Sequence, residues 1–430
     1  MPAARSRDTR SQTPPPTPET PRVVITGIGM VTSVGNDTAT TWKALLEGRS
    51  GVGPVREFDI SDYDVKIAAE VKDFDPRQYL DAKEVRRNDR FVHYAVAATQ
   101  QAMEGARFTI AGDGEDVGVV IGSGSGGVTA LSEQFHTLFY RGADRVSPFL
   151  ITQMVTDMAA GYVAMKYGAR GPNFATVAAC ATSANALGEA WEIIRRGDAR
   201  AMIAGGSEFA PNQVSLAAFT SMHALSRRND DPTHASRPFD AGRDGFVMGA
   251  GAGIVILERL DDALARQAPI YAEITGYATT SDAHHITEPA PGGAGLARAI
   301  RKALKKAGVA PDEVDYINAH GTSTKFNDRD ETAALHAVFG DHAPKLAISS
   351  TKSMIGHTMG AAGAIETGVT ALTLKHGIIT PTTNYEQPDP ECDLDYVPNQ
   401  ARKANVRVAV SESMGFGGHN AVLVLRRYEG

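Results

Sequence analysis

The stretch Asn173-Phe-Ala-Thr-Val-Ala-Ala-Cys-Ala-Thr-Ser-Ala-Asn-Ala-Leu187 decides how the first half of the chain folds. Its left part is small and apolar, follows Gly171-Pro172, and predicts a short buried strand. Its right part predicts a helix that ends at Gly197, because apolar residues recur there at helical spacing. These residues are Ala184, Leu187, Ala190, Trp191 and Ile194. Cys180 is therefore expected at the turn from a strand into a helix.

Cys180 has two interpretations on this stretch alone. The start of a helix has unpaired N–H groups and a positive dipole end. A thiol there is expected to lose its proton more readily than a free thiol, whose pKa is about 8.5. The alternative is a small buried core cysteine, a common role for this residue.

Composition excludes several classes of protein. The 430 residues carry a formal charge of -7, which argues against nucleic acid as a general partner. Cys180 and Cys392 are the two cysteines, so a disulfide scaffold or a cysteine-based zinc site is not expected. This cysteine usage favours a reducing compartment, and we expect a cytoplasmic protein. No apolar run is long enough to span a bilayer, and the N-terminus lacks the apolar core of a secretory signal.

The order of predicted elements indicates a polar tail followed by two similar halves. Residues 1–21 are proline-rich and predict disorder, and their acidic residues and prolines argue against a transit peptide. Residues 22–270 and 271–430 each alternate strands with helices in a similar order, which predicts a duplicated α/β unit. Predicted strands of the first half include Val23–Gly27, Val117–Gly122, Ala201–Glu208 and Gly251–Glu258; its predicted helices include Thr40–Glu47, Phe91–Ala106 and Leu150–Tyr167.

Three stretches of the second half place histidine or lysine at predicted strand-to-loop turns. They are Asn318-Ala-His-Gly-Thr-Ser-Thr324, Ser349-Ser-Thr-Lys-Ser-Met-Ile-Gly-His-Thr358 and Ser413-Met-Gly-Phe-Gly-Gly-His-Asn420. If the halves stack as mirrored copies, these turns converge beside Cys180. One cysteine with two histidines and a lysine is the constellation of a supported nucleophile.

From Arg22 to the C-terminus the sequence resembles the β-ketoacyl-acyl-carrier-protein synthases, and within them the elongating type-II enzymes. The motifs that carry the resemblance are Ala179-Cys180-Ala-Thr, Asn318-Ala-His320-Gly-Thr-Ser-Thr, Thr351-Lys352-Ser-Met-Ile-Gly-His357, Gly415-Phe-Gly-Gly418, Asp244-Gly-Phe-Val-Met-Gly249 and Ser281-Asp-Ala-His-His-Ile-Thr-Glu-Pro289. The resemblance implies a thiolase-like layered αβαβα fold made of two similar halves. It also implies a homodimer whose partner is an acyl-carrier protein bearing acyl and malonyl thioesters.

The resemblance further implies a role for each motif residue. Cys180 would accept the acyl chain, with the backbone N–H groups of Cys180 and Phe416 as the oxyanion hole. His320 and His357 would bind the malonyl thioester carbonyl and stabilise the enolate formed when CO₂ leaves. Lys352 would set the local electrostatics, together with Glu366. The glycines beside Phe416 would let this side chain gate the acyl pocket. Neither a metal nor an organic cofactor is expected for catalysis.

Four residues depart from the family pattern. Lys325 stands where a proline commonly follows the His-Gly-Thr-Ser-Thr motif, and Ala250 stands where an acidic residue is usual. Glu412 replaces a usual asparagine near a structural cation site of some relatives, so cation binding stays open there. Ser125 stands where elongating relatives often have isoleucine, and we expect it to alter the accepted chain length.

The elongating synthase has three alternatives. A polyketide-type ketosynthase uses the same chemistry, and a non-catalytic chain-length partner keeps the fold without the nucleophile. A thiolase would be expected to carry a second cysteine near Gly415–Gly418, which this chain lacks.

The remaining candidate residues are expected to have structural or surface roles. Cys392 is expected in a polar loop with an incidental role. Two exposed arginine pairs could contact an acidic carrier protein. These pairs are Arg86-Arg87 and Arg227-Arg228; the histidines expected to be structural or on the surface are His284, His285, His336, His376 and His419.

Overall fold

The computed structural model describes residues 20–430 of the chain. The predicted disordered tail, residues 1–21, therefore lies outside the described residues except for Thr20 and Pro21. Within residues 20–430, no helix combines the length and the apolarity needed to cross a bilayer.

One ten-stranded sheet organises the chain. Its strands, numbered in chain order, are β1 (Val23–Val31), β2 (Val117–Gly122), β3 (Asn173–Phe174), β4 (Ala201–Phe209), β5 (Ala250–Arg259), β6 (Ala272–Ser281), β7 (Tyr316–Asn318), β8 (Ala347–Ser349), β9 (Val408–Gly415) and β10 (His419–Arg426). Across the sheet their order is β8-β7-β9-β10-β6-β1-β5-β4-β2-β3. Two short ribbons lie outside this sheet, Gly53–Pro54 with Ile67–Ala68 and Ile378–Ile379 with Arg402–Lys403.

The helices lie between and around these strands. They are α1 (Thr38–Leu46), α2 (Ala82–Arg87), α3 (Arg90–Ala106), α4 (Val128–Arg141), α5 (Leu150–Met154), α6 (Met158–Tyr167), α7 (Thr182–Arg196), α8 (Gln213–Ser221), α9 (Leu260–Ala265), α10 (Ala294–Ala307), α11 (Lys325–Phe339), α12 (Lys352–Ile355) and α13 (Ala362–His376). Short 3₁₀ turns precede two of them, Ala179–Ala181 before α7 and Met359–Ala361 before α13.

The sheet has two halves with the same topology. From the centre outward, the first half runs β1-β5-β4-β2-β3 and the second runs β6-β10-β9-β7-β8. In each half the first two pairings are antiparallel and the next two are parallel. The halves join where β1 pairs with β6 in the antiparallel sense. The prediction of two similar halves is confirmed, with the addition that they share one continuous sheet.

The layers follow from which helices contact which strands. Helices α7 and α13 contact each other and strands of both halves, so they lie between the two half-sheets. Helices α3 and α6 cover the other face of the first half, and α10 and α11 cover that of the second. The predicted αβαβα layering is confirmed.

The central position of α13 explains its composition. Every residue from Ala362 to Leu374 is buried, because this helix has a sheet on each side. A Cβ atom at Gly363 would lie 2.7 Å from the Ala184 backbone nitrogen of α7, so the close approach of the two helices requires glycine there.

Three predicted elements were wrong in their extent. The strand predicted to end at Gly27 continues to Val31 through an irregularity at Thr26, because the bulge lets pairing with β5 resume beyond the glycine. The helix predicted for Leu150–Tyr167 is two helices separated at Val155, whose backbone is extended. The strand before Cys180 is only Asn173–Phe174, and both residues are exposed, since this strand pairs on one side only, at the edge of the sheet.

Candidate active site

Cys180 lies in the 3₁₀ turn that leads into α7, as the sequence predicts for a strand-to-helix turn. Its neighbour Ala179 has a φ of 48°, a left-handed conformation that a residue with a side chain seldom adopts. Thr182 holds this turn, because its hydroxyl accepts a 2.9 Å hydrogen bond from the Ala178 N–H. The sequence thus presents the thiol on a sharp, braced turn.

The second half repeats this turn without the thiol. Met359 has a φ of 47° and precedes Gly360 and α13, as Ala179 precedes Cys180 and α7. A Cβ atom at Gly360 would lie 2.4 Å from the Gly124 backbone nitrogen, so no side chain fits. The duplicated fold therefore supplies two matching turns and only one nucleophile.

Glu208 joins the loop of residues 123–125 to the turn before α13, and nothing in its local sequence indicates a functional role. It is fully buried at the end of β4. It accepts hydrogen bonds from the Ser123 hydroxyl (3.0 Å), the Gly124 N–H (2.7 Å), the Gly360 N–H (3.0 Å), and both the hydroxyl and the N–H of Ser125. Burial raises the pKa of Glu208, which these hydrogen bonds oppose.

His320 and His357 converge as the sequence predicts. Their ring centroids are 5.3 Å apart at an interplanar angle of 86°, and both side chains are buried. The Nδ1 atom of each ring has no hydrogen-bond partner among the described residues. Burial, followed by the nearby Lys352 ammonium, holds the pKa of both imidazoles well below the ordinary value. The two rings are therefore neutral and free to bind a ligand.

Glu331 of α11 positions His320, and the sequence analysis missed it. Its carboxylate accepts hydrogen bonds from the backbone N–H groups of His320 (2.6 Å) and Gly321 (2.8 Å) and from the Asn327 side-chain amide (3.2 Å). Burial raises the pKa of Glu331 to about 7. An acidic residue eleven positions after a motif histidine carries no signal in the sequence, because only the fold brings α11 against the turn.

Lys352 and Glu366 form a buried ion pair, as the sequence predicts. Their side chains are 2% and 1% exposed, so neither charge is solvated. The Lys352 ammonium lowers the pKa of the Cys180 thiol, of both imidazoles and of Glu331. The Lys352 ammonium is therefore the positive charge that these four groups share.

The expected lowering of the Cys180 pKa by the helix start is wrong for this state of the protein. Burial raises the pKa of the thiol to about 12, and the Lys352 ammonium is the largest opposing influence. Cys180 lies within the 3₁₀ turn, two residues before the first residue of α7, and its side chain is buried. Burial therefore favours the protonated thiol.

The Phe416 backbone lies against Cys180. The Phe416 backbone N–H lies near the Cys180 sulfur and lowers the pKa of the thiol. A Cβ atom at Gly415 would lie 3.0 Å from the Cys180 backbone nitrogen, so this glycine permits the approach. The Phe416 ring is 6.3 Å from that of Phe219. All five predicted site residues are thus brought to one place.

A cavity of about 480 Å³ opens onto these groups. Its inner wall includes Cys180, His320, His357 and Phe416, and Ser125 lies at the Glu208 side of the same wall. Lys325 and His419 also line the cavity, so His419 is exposed at the site rather than elsewhere on the surface.

Glu412 is fully buried, and neither of its oxygens has a donor among the described residues. Burial and then the neighbouring Glu331 raise its pKa well above the ordinary value, so this carboxyl holds its proton. Within residues 20–430, no three His, Cys, Asp or Glu side chains converge as metal ligands. Ala250, the other departure near a motif, is fully buried at the start of β5.

Cys392 and the arginine pairs lie outside the site. The prediction that places Cys392 in a polar loop is wrong, because its side chain is 1% exposed and packs in the core of the second half. Burial raises the pKa of this thiol to about 12. Arg228 is half-buried and donates to the Gly242 carbonyl at 2.9 Å, whereas Arg86, Arg87 and Arg227 are exposed.

Comparison with known proteins agrees with this geometry. Models of the β-ketoacyl synthase N-terminal and C-terminal domains match residues 20–263 and 271–386. A 3-oxoacyl-[acyl-carrier-protein] synthase 2 of Synechocystis sp. is 52% identical over 412 residues, which cover 96% of this chain and 99% of that protein. The protein of the same name from Staphylococcus aureus is 49% identical over 409 residues, covering 95% and 99%.

Solved structures of the same fold are similar along the whole chain. A type II polyketide ketosynthase in complex with its acyl-carrier protein superposes with a TM-score of 0.89 at 34% identity, covering 96% of this chain and 100% of that one. The ishigamide ketosynthase/chain length factor gives 0.88 at 36% identity, covering 95% and 100%. The resemblance read from the motifs is confirmed, and the chain belongs to the β-ketoacyl synthase family.

Proposed function

We propose that the chain is a 3-oxoacyl-[acyl-carrier-protein] synthase of type 2, which elongates fatty acyl chains by condensation with malonyl-carrier protein. The observation that carries this proposal is the grouping of one thiol, two neutral imidazoles and one buried ammonium around a single cavity. These groups supply a nucleophile, two donors for a developing oxyanion and a fixed positive charge.

In the first half-reaction, the Cys180 sulfur attacks the carbonyl carbon of the acyl thioester. The carbonyl oxygen becomes an oxyanion, for which the backbone N–H groups of Cys180 and Phe416 are the proposed donors. When the tetrahedral intermediate collapses, the thiol of the carrier arm leaves with the proton that Cys180 gave up. The Phe416 backbone N–H, which lies near the Cys180 sulfur and lowers its pKa, supports this arrangement.

In the second half-reaction, malonyl thioester binds with its carbonyl oxygen toward His320 and His357. Loss of CO₂ leaves an electron pair on the adjacent carbon, and the negative charge moves to that oxygen. Neutral imidazoles can donate an N–H to it, and the Lys352 ammonium lowers the electrostatic cost of the enolate. The carbon then attacks the acyl-cysteine and expels the Cys180 thiolate. Release of CO₂ drives the reaction, and the step uses no metal or organic cofactor.

The relatives favour this function over the polyketide and chain-length-partner alternatives. The two 3-oxoacyl-[acyl-carrier-protein] synthases described above are 49% and 52% identical to the chain, whereas the type II polyketide ketosynthase and the ishigamide ketosynthase/chain length factor are 34% and 36% identical. Cys180 and both histidines argue against a non-catalytic subunit.

The proposed partner is an acyl-carrier protein, the partner present in the polyketide ketosynthase complex. Arg86 and Arg87 on the exposed end of α2, with Arg227, are the candidate contacts for its acidic surface.

We place the enzyme in the cytoplasm and divide it into halves at residues 22–270 and 271–430. The division falls between α9 and β6.

The proposal includes a homodimer, for which one apolar surface is the candidate interface. On this surface Phe139 and Tyr140 of α4 are 75% and 78% exposed. Neighbouring α5, α6 and β3 add Ile151, Met165 and Phe174, and the outer edge of β3 has no strand beside it within the described chain.

We expect a mass in solution twice the 45.6 kDa of one chain. Sedimentation equilibrium measures this mass, and Phe139→Glu with Tyr140→Glu is expected to lower it, because two buried charges would oppose association. The exposed pair Lys302→Glu with Lys305→Glu, on α10, is the control. A single-chain mass for the unmodified protein would contradict the dimer.

The lowered imidazole pKa values predict how decarboxylation depends on pH. The active form is the neutral ring, and a lowered pKa keeps the ring neutral to more acidic pH. We therefore expect the rate of malonyl-carrier protein decarboxylation to stay level from about pH 8 to about pH 6. The Lys352→Met variant is expected to lose rate at a higher pH than the unmodified enzyme, because the ammonium no longer lowers the two pKa values. A half-maximal rate near the ordinary histidine pKa of about 6.5 in the unmodified enzyme would contradict this account.

The function itself is tested by the product. Incubation of the protein with acyl-carrier protein and malonyl-carrier protein is expected to give a 3-oxoacyl-carrier protein two carbons longer than the starting chain, plus CO₂. Mass spectrometry of the carrier protein measures this. Products extended repeatedly without reduction would favour the polyketide alternative instead.

A further inference from the structure

Lys325 stands at the mouth of the active-site cavity as the first residue of α11. Its side chain is exposed, while its backbone is fixed. The buried Arg243 guanidinium donates to the Lys325 carbonyl at 3.1 Å and to the Thr324 carbonyl at 3.2 Å. The Lys325 side chain can therefore move, while its backbone is held in place relative to the catalytic groups.

The same segment is connected to the catalytic histidine. Asn327, two residues after Lys325, donates a hydrogen bond to the Glu331 carboxylate. The same carboxylate accepts hydrogen bonds from the backbone N–H groups of His320 and Gly321. The backbone of Lys325 is consequently held at a fixed place relative to His320. This rigidity suits a residue that positions the outer end of a substrate.

The charge around the cavity mouth is otherwise acidic. Of the cavity-lining residues in the described chain, Lys325 is the one lysine or arginine, whereas Asp244, Asp282 and Glu288 also line the cavity. The Asp282 carboxylate is already bound by the Asn420 amide at 2.7 Å. Lys325 forms no ion pair with any carboxylate among residues 20–430. An unpaired ammonium at this place has a positive charge available for an anionic group of the ligand.

We propose that Lys325 binds the phosphate group of the substrate's phosphopantetheine arm and so favours phosphorylated carriers of the acyl chain. The inference rests on the proposed function, in which an acyl thioester enters this cavity with its reactive carbon at Cys180. Its arm then runs outward past Thr322 and Thr324, whose hydroxyls are 3.0 Å apart, to the mouth. A lysine ammonium binds phosphate as a point charge with three donors.

The test compares acylation of Cys180 by three donors in the full-length protein. They are an acyl-carrier protein, the same acyl thioester of free phosphopantetheine, and the same acyl thioester of pantetheine, which lacks the phosphate. Intact-mass spectrometry gives the second-order rate constant for each. Lys325→Met removes the charge, Lys325→Arg keeps it, and Lys345→Met is the control, since Lys345 is exposed and does not line the cavity.

We expect Lys325→Met to slow acylation by the two phosphorylated donors about tenfold and acylation by the pantetheine thioester less than about twofold. Lys325→Arg should restore most of the rate, and Lys345→Met should leave all three rates unchanged.

Equal losses with phosphorylated and unphosphorylated free thioesters would overturn the proposal, because Lys325 would then act on the shape of the site. A loss confined to the carrier protein would also overturn it and assign Lys325 to the protein surface contact. Failure of the unmodified enzyme to be acylated by any donor would instead overturn the proposed function.

Discussion

Cys180→Ala is expected to lower the rate of condensation by at least about 1000-fold while malonyl-carrier protein is still decarboxylated. The thiol accepts the acyl chain, and no other residue of the described site is a comparable nucleophile. Decarboxylation depends instead on His320 and His357, whose geometry does not involve the thiol. The measurement is a paired assay of CO₂ release and of 3-oxoacyl product.

Cys392→Ala is the matched control for this experiment, because it removes the other buried thiol of the chain. That variant should condense at the rate of the unmodified enzyme if it folds, which circular dichroism checks. Equal losses of CO₂ release and of product in Cys180→Ala would contradict the separation of roles, since decarboxylation would then need the thiol.

Breaking the Lys352–Glu366 pair is expected to have the second large effect. Glu366→Leu leaves the Lys352 ammonium buried without its counter-ion, which should lower the free energy of unfolding by about 3–5 kcal/mol. The double variant Lys352→Met with Glu366→Leu removes both charges, and we expect it to recover most of that stability. Its decarboxylation rate should stay below that of the unmodified enzyme, because the ammonium that favours the enolate and lowers the imidazole pKa values is gone.

Urea unfolding followed by fluorescence measures the stability of the three proteins, and the decarboxylation assay measures their activity. The surface pair Arg196→Met with Asp198→Leu is a suitable control, because both of its side chains are more than half exposed and little stability depends on it. A double variant that decarboxylates at the full rate of the unmodified enzyme would show that the ammonium has no part in the chemistry.

The two similar α/β halves could be predicted because a duplicated order of elements survives in the sequence, whereas the αβαβα layering is what the family resemblance implies. The predicted bounds of the strand Val117–Gly122 agree with the structure, and those of the helix Phe91–Ala106 differ from it by one residue. The strand is buried throughout and ends in glycine, and the helix buries one continuous apolar face, so local pattern and tertiary environment agree. The single continuous sheet could not be foreseen, since it depends on a pairing of β1 with β6 that no local pattern encodes.

Errors of extent arose where the tertiary environment differs from the local pattern. The segment before Cys180 is small and apolar, as a buried strand would be, yet Asn173–Phe174 is a two-residue edge strand. Its apolar character fits a surface that a second chain would cover better than it fits the core of this one. Cys392 was misplaced for the opposite reason, because polar neighbours in sequence surround a side chain that points into the core.

The five site residues could be predicted because they stand in motifs of glycine and small residues that mark turns. Glu208 and Glu331, which hold those turns in place, could not, because each is distant in sequence from the groups it binds. The thiol pKa was mispredicted for a related reason. The helix start is visible in the sequence, whereas the burial of the sulfur is a property of the packed protein.

The most direct test of the central claim is the intact mass of the protein after incubation with acyl-carrier protein alone. The account predicts one acyl adduct per chain, absent from Cys180→Ala and mapped by peptide analysis to Cys180. Release of that adduct on addition of malonyl-carrier protein, with appearance of 3-oxoacyl product, would complete the cycle. The absence of an adduct at every chain length tried, or an adduct on Cys392, would contradict it.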